Sequence, residues 1–371
     1  MGHILIAFVL AFAQGLQQSP DTAGKFNHAV ELQRQGALKE AAAEYRALIA
    51  VQPGYTEAHA NLGVVLAQLG QYEEAIASYE SALRLAPNLA PILLNLGIAH
   101  YRAGQFDKAA DVFNRVLDKT PGALQARQLL GIALVELGRD AEAVTQLEQT
   151  LAAAPGDSAV LYSLGIAYMR LGRPGLRAMV DRLTDAPGGL PAAHLLQGQF
   201  LLSREEYAQA LNELNAAATL NTELPRLQYS LGLVYLKLGN HKEAIAAFEN
   251  QLRRTAQDFS TLYYLAYLNE AEGNLSRARQ QLDAALKLEP QSTEANALFG
   301  KILSKQGKNA EALGPLEKAV AQDPKDPVKR YMLGRLYRQL GRSEDAAREF
   351  AEVQRLKSEQ LKEEQARRPK P

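Results

Sequence analysis

Apolar and polar positions recur along this chain with a period of 34 residues, from about residue 22 to residue 360. Within each period, apolar residues return every three or four positions over two stretches, which is the pattern of two amphipathic helices. A glycine such as Gly70 separates the two stretches and suits the left-handed end of a helix. The pattern predicts ten tandem helix pairs that bury their apolar faces by stacking on one another.

The repeat defines ten units in one register, and we number positions from the start of each unit. The units start at residues 22, 56, 90, 124, 158, 191, 225, 259, 293 and 327, so every step is 34 residues except one of 33. The fifth unit, 158–190, is irregular, with Arg177 where alanine is expected and Asp181 where a bulky apolar residue is expected. We expect either a short, imperfect second helix or a hinge between two arms.

Small and bulky residues alternate at helical spacing within each unit, so that two antiparallel helices can interlock. In the second unit, Gly63 and Ala75 are the small residues, Tyr79 is the bulky one, and Pro87 ends the second helix. These positions resemble the tetratricopeptide repeat family, whose pattern is W-x2-L-G-x2-Y, then A-x3-F, then P. The matching residues are His59, Leu62, Gly63, Leu66, Ala75, Tyr79 and Pro87. The resemblance covers residues 22–360 and implies an all-α, right-handed superhelical solenoid of antiparallel hairpins, with the first helices on its concave side.

The N-terminus carries an unbroken apolar run at residues 4–13, which is too short for a bilayer span of roughly 20 residues. Residues 11–13 read Ala-Phe-Ala and fit a signal-peptide cleavage site before Gln14. We therefore expect a signal peptide at 1–13, a linker at 14–21, and export to a bacterial periplasm or cell envelope; a cytoplasmic chain with an apolar N-terminal tail is the alternative. The mature chain would have no membrane span. Residues 361–371 form a charged tail.

Composition excludes several kinds of chemistry. The chain has no cysteine, so thiolate nucleophiles, cysteine-ligated metals and disulfides are excluded. Lys+Arg and Asp+Glu both number 41, which leaves no overall charge to attract nucleic acid. Charge is nevertheless uneven along the sequence. Residues 22–157 carry 11 basic and 15 acidic side chains, whereas residues 225–371 carry 25 and 19.

Motifs for catalysis or metal binding are absent from the sequence. It contains no phosphate-binding loop, no dinucleotide fingerprint, no H-E-x-x-H and no G-x-S-x-G. No two of the six histidines stand three or four residues apart, so no helix presents a histidine pair to a metal. We therefore predict a protein that is not an enzyme, with no catalytic residues, no metal, no cofactor and no small-molecule substrate.

Candidate binding residues follow from the positions expected to face the concave side. Position six is asparagine in each of the first three units. The amide of each asparagine can donate a hydrogen bond to a peptide group and accept one from it. Position nine is apolar in the early units, tyrosines gather in the middle units, and the last units turn basic. The predicted partner-binding residues are Asn27, Asn61, Asn95, Val64, Ile98, Tyr229, Tyr263, Tyr264, Tyr267, Lys301, Lys305, Arg335 and Arg338. The asparagines could instead bridge neighbouring helices, and the apolar and tyrosine positions could instead belong to the core.

The predicted function is a scaffold that binds a polypeptide segment in the concave groove of the solenoid. The alternative is a recruiting or accessory subunit of a bacterial envelope machine for secretion or for polysaccharide export or synthesis. In either case the partner is a protein or peptide, not nucleic acid.

Overall fold

The structure is a computed structural model that describes residues 20–87, 89–255 and 257–367. These residues form twenty α-helices and no strand. Helices α1–α10 are Pro20–Arg34, Leu38–Val51, Thr56–Gln68, Tyr72–Leu85, Ala90–Arg102, Phe106–Lys119, Leu124–Glu136, Asp140–Ala153, Ser158–Leu171 and Leu176–Asp185. Helices α11–α20 are Leu190–Ser203, Tyr207–Leu220, Leu227–Lys237, His241–Arg254, Phe259–Ala271, Leu275–Leu288, Thr293–Lys305, Asn309–Gln322, Pro327–Gln339 and Ser343–Arg367.

The chain divides into two compact units. The N-terminal unit comprises the chain to Ser203 together with Asn215–Leu224, and the C-terminal unit comprises Arg204–Leu214 and Pro225–Pro371. In the N-terminal unit the helices pair from α1/α2 to α9/α10, and the second helix of each pair packs on the first helix of the next. The C-terminal unit repeats this arrangement from α13/α14 to α19/α20. The all-α class and the tandem antiparallel hairpins are thus confirmed.

Close packing at the small residues explains why each hairpin interlocks. A Cβ added at Gly63 would lie 2.6 Å from Tyr79 Cε1, and one added at Gly97 would lie 2.5 Å from Phe113 Cε1. Both aromatic rings belong to the second helix of the same hairpin and are buried. The glycines therefore allow backbone and ring to meet at a distance that any larger residue would prevent.

The fifth hairpin replaces this contact with a different one. Its second helix, α10, is formed, and Met179 and Leu183 are buried in it. Asp181 occupies the usual bulky position and is exposed. Gly165 of α9 instead receives Leu196 of α11, whose Cδ2 would lie 2.3 Å from an added Cβ. The next first helix thus fills the space that the second helix leaves open, and the described residues show a short packed helix here. A hinge at this point stays a prediction.

The ends of the chain differ from the predicted boundaries. The signal peptide at 1–13 and most of the predicted linker lie outside the described residues, so export stays a prediction. Helix α1 begins at Pro20, inside the predicted linker, because proline is well suited to the first turn of a helix. Helix α20 continues to Arg367, so the first part of the predicted charged tail is helical. No helix among the described residues is both long enough and apolar enough to cross a bilayer.

Candidate functional site

The first helices of the C-terminal unit carry a group of exposed aromatic and basic side chains. Direct contacts join α15 to α17 and α17 to α19, so the three helices form adjacent rows. We use the name basic aromatic face for Tyr267 of α15, Lys301 and Lys305 of α17, and Tyr331, Arg335 and Arg338 of α19. All but Tyr331 belong to the predicted partner-binding residues.

A cluster of aromatic rings from α13, α14 and α15 lies next to the α15 end of this face. Tyr264 stacks on Phe248 with centroids 5.7 Å apart and an interplanar angle of 7°. Tyr229 lies 6.3 Å from Tyr264, and Tyr263 meets Tyr264 edge-on at 5.5 Å. Such tilted and offset arrangements match the ring quadrupoles and stabilise the packing beyond the buried area. Tyr229, Tyr263 and Tyr264 are therefore half-buried packing residues.

Two features of this cluster bear on recognition. The Arg226 guanidinium lies 5.0 Å from the centroid of the Tyr229 ring, which is a cation–π distance. Burial, the largest cause, raises the pKa of Tyr229 to about 12, so its hydroxyl is neutral at physiological pH. Tyr267, one turn after Tyr263, is 44% exposed and is the ring of α15 that solvent reaches best.

Lys301 and Lys305 share one carboxylate. Lys301 Nζ lies 2.8 Å from Glu270 Oε2, and Lys305 Nζ lies 2.5 Å from Glu270 Oε1. The Glu270 side chain is only 4% exposed, whereas the two lysine side chains are 42% and 50% exposed. Burial acts to raise the pKa of Glu270, but the two lysines outweigh it and hold that pKa below its ordinary value. Glu270 is thus ionised, and the three groups carry one net positive charge.

Helix α19 presents four side chains on one exposed face. Val328 and Tyr331 are 63% and 48% exposed, and Arg335 and Arg338 are also exposed. Their spacing of three, four and three residues places them along a single stripe of the helix. Arg335 forms no ion pair with any described residue, and Arg338 lies 5.9 Å from the centroid of the Phe350 ring.

The predicted asparagine row does not form a continuous exposed ladder. Asn27 is exposed, whereas Asn61 is fully buried and Asn95 is 8% exposed. Asn61 Nδ2 donates to the Tyr45 hydroxyl at 3.4 Å, and that hydroxyl donates to Gln33 Oε1 at 3.1 Å. Asn61 therefore joins α3 to the preceding hairpin, which is the bridging alternative.

The remaining predicted residues of the N-terminal unit lie in or next to the core. Val64 is 3% exposed, and Ile98 is half-buried against the hydrophobic cluster around α7 and α9. The described residues contain no group of three His, Asp or Glu side chains that could hold a metal ion.

The N-terminal unit also has an open cleft of about 510 Å³. It lies between α4 and α6 and is lined by Leu83, Leu96, His100 and Val112, with charged side chains of both signs around them. The ring of His100 is buried and its Nδ1 lies 2.9 Å from Gln105 Oε1. None of the predicted binding residues lines this cleft.

Sequence reasoning missed Glu270 and Val328. Glu270 lies 31 residues before Lys301, so the repeat register places it on the helix next to the one that carries the lysine. The repeat register could have revealed this ion pair. Glu270 is at position twelve of its repeat, and it faces Lys301 at position nine of the next repeat. Val328 follows Pro327 at the start of α19 and shares a face with Tyr331.

Comparisons with known proteins agree with this fold. Sequence models described as tetratricopeptide repeat match residues 55–120, 94–176, 229–327 and 303–360. A model of anaphase-promoting complex, cyclosome, subunit 3 matches residues 178–251. Among solved structures, a human IFIT1 dimer with m7Gppp-AAAA has a similar fold: it is 15% identical, with 92% of this chain and 91% of that chain covered and a TM-score of 0.56.

Two curated relatives match part of the chain. Human tetratricopeptide repeat protein 16 is 28% identical over 171 residues, which is 43% of this chain and 20% of that protein. Anaphase-promoting complex subunit 3 of Schizosaccharomyces pombe is 25% identical over 158 residues, which is 43% of this chain and 24% of that protein. The chain thus matches only about a quarter or less of the length of these relatives. With the repeat models covering most of the described hairpins, the chain belongs to the tetratricopeptide repeat family.

Proposed function

We propose that this chain is a scaffold that binds a polypeptide segment on the first-helix side of its C-terminal unit. The observation that carries the proposal is the exposure of Tyr267 and Tyr331, at 44% and 48%, on helices held in adjacent rows by α17. Tyrosines lose little side-chain entropy on binding and offer both apolar area and a hydroxyl, so they are frequent anchors in protein interfaces. The packed ring cluster behind Tyr267 holds its helix in place before the partner arrives.

The mechanism is passive recognition by a preformed surface. Rigid helices keep the anchor side chains in place, so little ordering of the scaffold opposes binding. A segment laid across α15, α17 and α19 would contact Tyr267 first, then the lysines of α17, then Tyr331 and the arginines of α19. An apolar side chain of the segment would pack against each tyrosine ring.

Selection of short random displayed peptides against the whole chain tests this proposal. The selected peptides should bind the native protein, and Tyr267→Ala and Tyr331→Ala should each weaken that binding about tenfold. Leu288→Ala is the matched control, because Leu288 is also an exposed apolar residue, 38% exposed, but ends the second helix α16. Peptides that depend on Leu288 and not on either tyrosine, or no enrichment at all, would contradict the proposal.

A further inference from the structure

The basic aromatic face carries more positive charge than its surroundings neutralise. Within the part of the chain that the structure describes, its four cationic side chains, Lys301, Lys305, Arg335 and Arg338, form ion pairs with one carboxylate, that of Glu270. Among the described residues, Arg335 has no ion pair. The contact described above for Arg338 is with an aromatic ring, which does not neutralise its charge.

Acidic residues on and near the neighbouring helices form ion pairs with cations outside the basic aromatic face. Glu294, at the start of α17, lies 3.7 Å from Lys329 Nζ, and Lys329 also contacts Asp323 and Asp326. On α20, Glu349 pairs with Arg330 at 2.7 Å and Glu352 pairs with Arg355 at 2.5 Å. These carboxylates are therefore directed at other cations, and the face keeps its excess of positive charge.

The donors that remain on this face suit carboxylates. An exposed guanidinium offers a planar pair of N–H groups that binds a carboxylate through two hydrogen bonds. Each lysine ammonium has three N–H donors, and one bond to Glu270 leaves the others available. Tyr267 and Tyr331 border the cations, so a partner must also bring apolar or aromatic side chains next to its acids.

We infer that the basic aromatic face recognises an acidic polypeptide segment in which carboxylates alternate with apolar or aromatic side chains. This inference rests on the proposed function and names the chemistry of its ligand. Lys301 and Arg335 occupy the same position of successive units, on helices in contact, and packed helices lie about 10 Å apart. An extended chain covers that distance in about three residues, so the preferred acids are about three residues apart.

Synthetic peptides that contain tryptophan measure this preference directly. The protein has no tryptophan, so the fluorescence of a peptide tryptophan reports only the peptide. The probe is a tandem repeat of Glu-Trp-Leu-Glu, compared with the same peptide carrying Gln or Lys in place of Glu. The Glu peptide should bind at least about tenfold more tightly than the Gln peptide at low salt, and the difference should shrink as salt is added.

Three protein variants test which cations of the face bind the Glu peptide. The double variant Arg335→Gln/Arg338→Gln should remove most of the preference for the Glu peptide. Glu270→Gln should increase it several-fold, because both lysines lose their internal partner. Lys287→Gln is the control, since Lys287 is an exposed cation at the end of the second helix α16. Far-UV circular dichroism checks that each variant is folded.

Several outcomes would overturn the inference. Equal binding of the Glu and Gln peptides would exclude an acidic ligand while leaving peptide binding, and hence the proposed function, in place. Tighter binding of the Lys peptide would reverse the predicted chemistry. The arginine double variant could keep the preference for the Glu peptide while Lys287→Gln loses it. That result would show that the acidic peptide binds outside the basic aromatic face. If none of the three peptides binds while selected peptides do, the acidic preference is wrong and the scaffold function stands.

Discussion

Position nine of the first helix differs between the two compact units of this protein. In the first five repeats, all in the N-terminal unit, it holds valine or isoleucine, and Val64, Ile132 and Ile166 are 3%, 2% and 7% exposed. In the C-terminal unit it holds Tyr267, which is 44% exposed, and Lys301, whose side chain is 42% exposed. The next repeat of the C-terminal unit has Arg335 at position nine, and this residue is also exposed.

The comparison shows that one repeat position serves two purposes. A short aliphatic side chain at position nine stays within the layer of packed helices and adds to the core. A longer side chain at the same backbone position extends beyond the layer, with its stem packed and its polar end in water. The first five repeats therefore use this position for stability, and the last three use it to present the basic aromatic face.

A buried charge gives the largest expected contrast. Val64→Asp should destabilise the protein by about 3 kcal/mol or more, because a carboxylate would replace a buried apolar side chain without a partner. Arg335→Asp at the same position should change the free energy of unfolding by less than about 0.5 kcal/mol, because Arg335 is exposed. Urea unfolding followed by circular dichroism measures both. Similar losses would show that position nine is equally buried in the two units.

The second-largest effect is expected from overpacking at the small residue of a first helix. Gly165→Ala and Gly232→Ala should each cost about 1–3 kcal/mol, since the new Cβ would lie 2.3 Å from Leu196 Cδ2 and 2.6 Å from Phe248 Cε1 respectively. Leu196→Ala should relieve part of the first cost and none of the second. A double-mutant cycle should thus give a coupling of about 1 kcal/mol for Gly165 with Leu196.

The control cycle pairs Gly232 with Leu196, and these two changes should be additive within about 0.5 kcal/mol. Additivity for Gly165 with Leu196 would mean that the next hairpin does not fill the fifth one as described.

Acid should weaken the C-terminal unit before the N-terminal one. Burial opposes ionisation of Glu270 and Asp326, but Lys301 and Lys305 lower the pKa of Glu270, and Lys329 with nearby backbone N–H groups lowers that of Asp326. A carboxyl whose pKa is lower in the folded state stabilises the fold above its unfolded pKa. That stabilisation is lost as the pH falls, here below about 4.5 for Glu270.

Hydrogen exchange, corrected for the intrinsic rate at each pH, should show the loss first in α15–α19. Glu270→Gln should reduce this pH dependence. Glu142 in the N-terminal unit also has a lowered pKa, caused mainly by its hydrogen bond with Arg139, but its side chain is 58% exposed. Glu142→Gln should therefore leave the pH profile almost unchanged. Simultaneous loss in both units would contradict the expected order.

The smallest effect concerns the turn between paired helices. Gly70 has φ 77°, whereas the equivalent position of the sixth unit is Glu205, with φ 63°. Left-handed backbone is strained for residues with a Cβ, so Glu205→Gly should raise the free energy of unfolding by about 0.5 kcal/mol. The reverse change, Gly70→Glu, should lower it by about 1 kcal/mol. Thermal unfolding compares the two, and a destabilised Glu205→Gly would show that the glutamate side chain contributes more than the strain removes.

The hairpins could be predicted from the sequence because their signals are local. Helices α3, α5, α7 and α9 begin at Thr56, Ala90, Leu124 and Ser158, which are the unit starts given by the 34-residue register. Helical period, turn glycines and small residues opposite bulky ones all lie within one unit, and they agree with one another. Tyr267 and the cations of the basic aromatic face could likewise be named from their position in the repeat, whereas Tyr331 was not.

Burial and pairing were decided by the tertiary structure. Asn27 and Asn61 occupy the same repeat position, yet one is exposed and the other is enclosed between helices with the Tyr45 hydroxyl. Leu196 fills the fifth hairpin from the following one. Each outcome depends on the volume and charge of side chains about one repeat away, and a local pattern contains no information about them. The period thus determines the helices, and the packing of neighbouring repeats determines which side chains remain free to bind a partner.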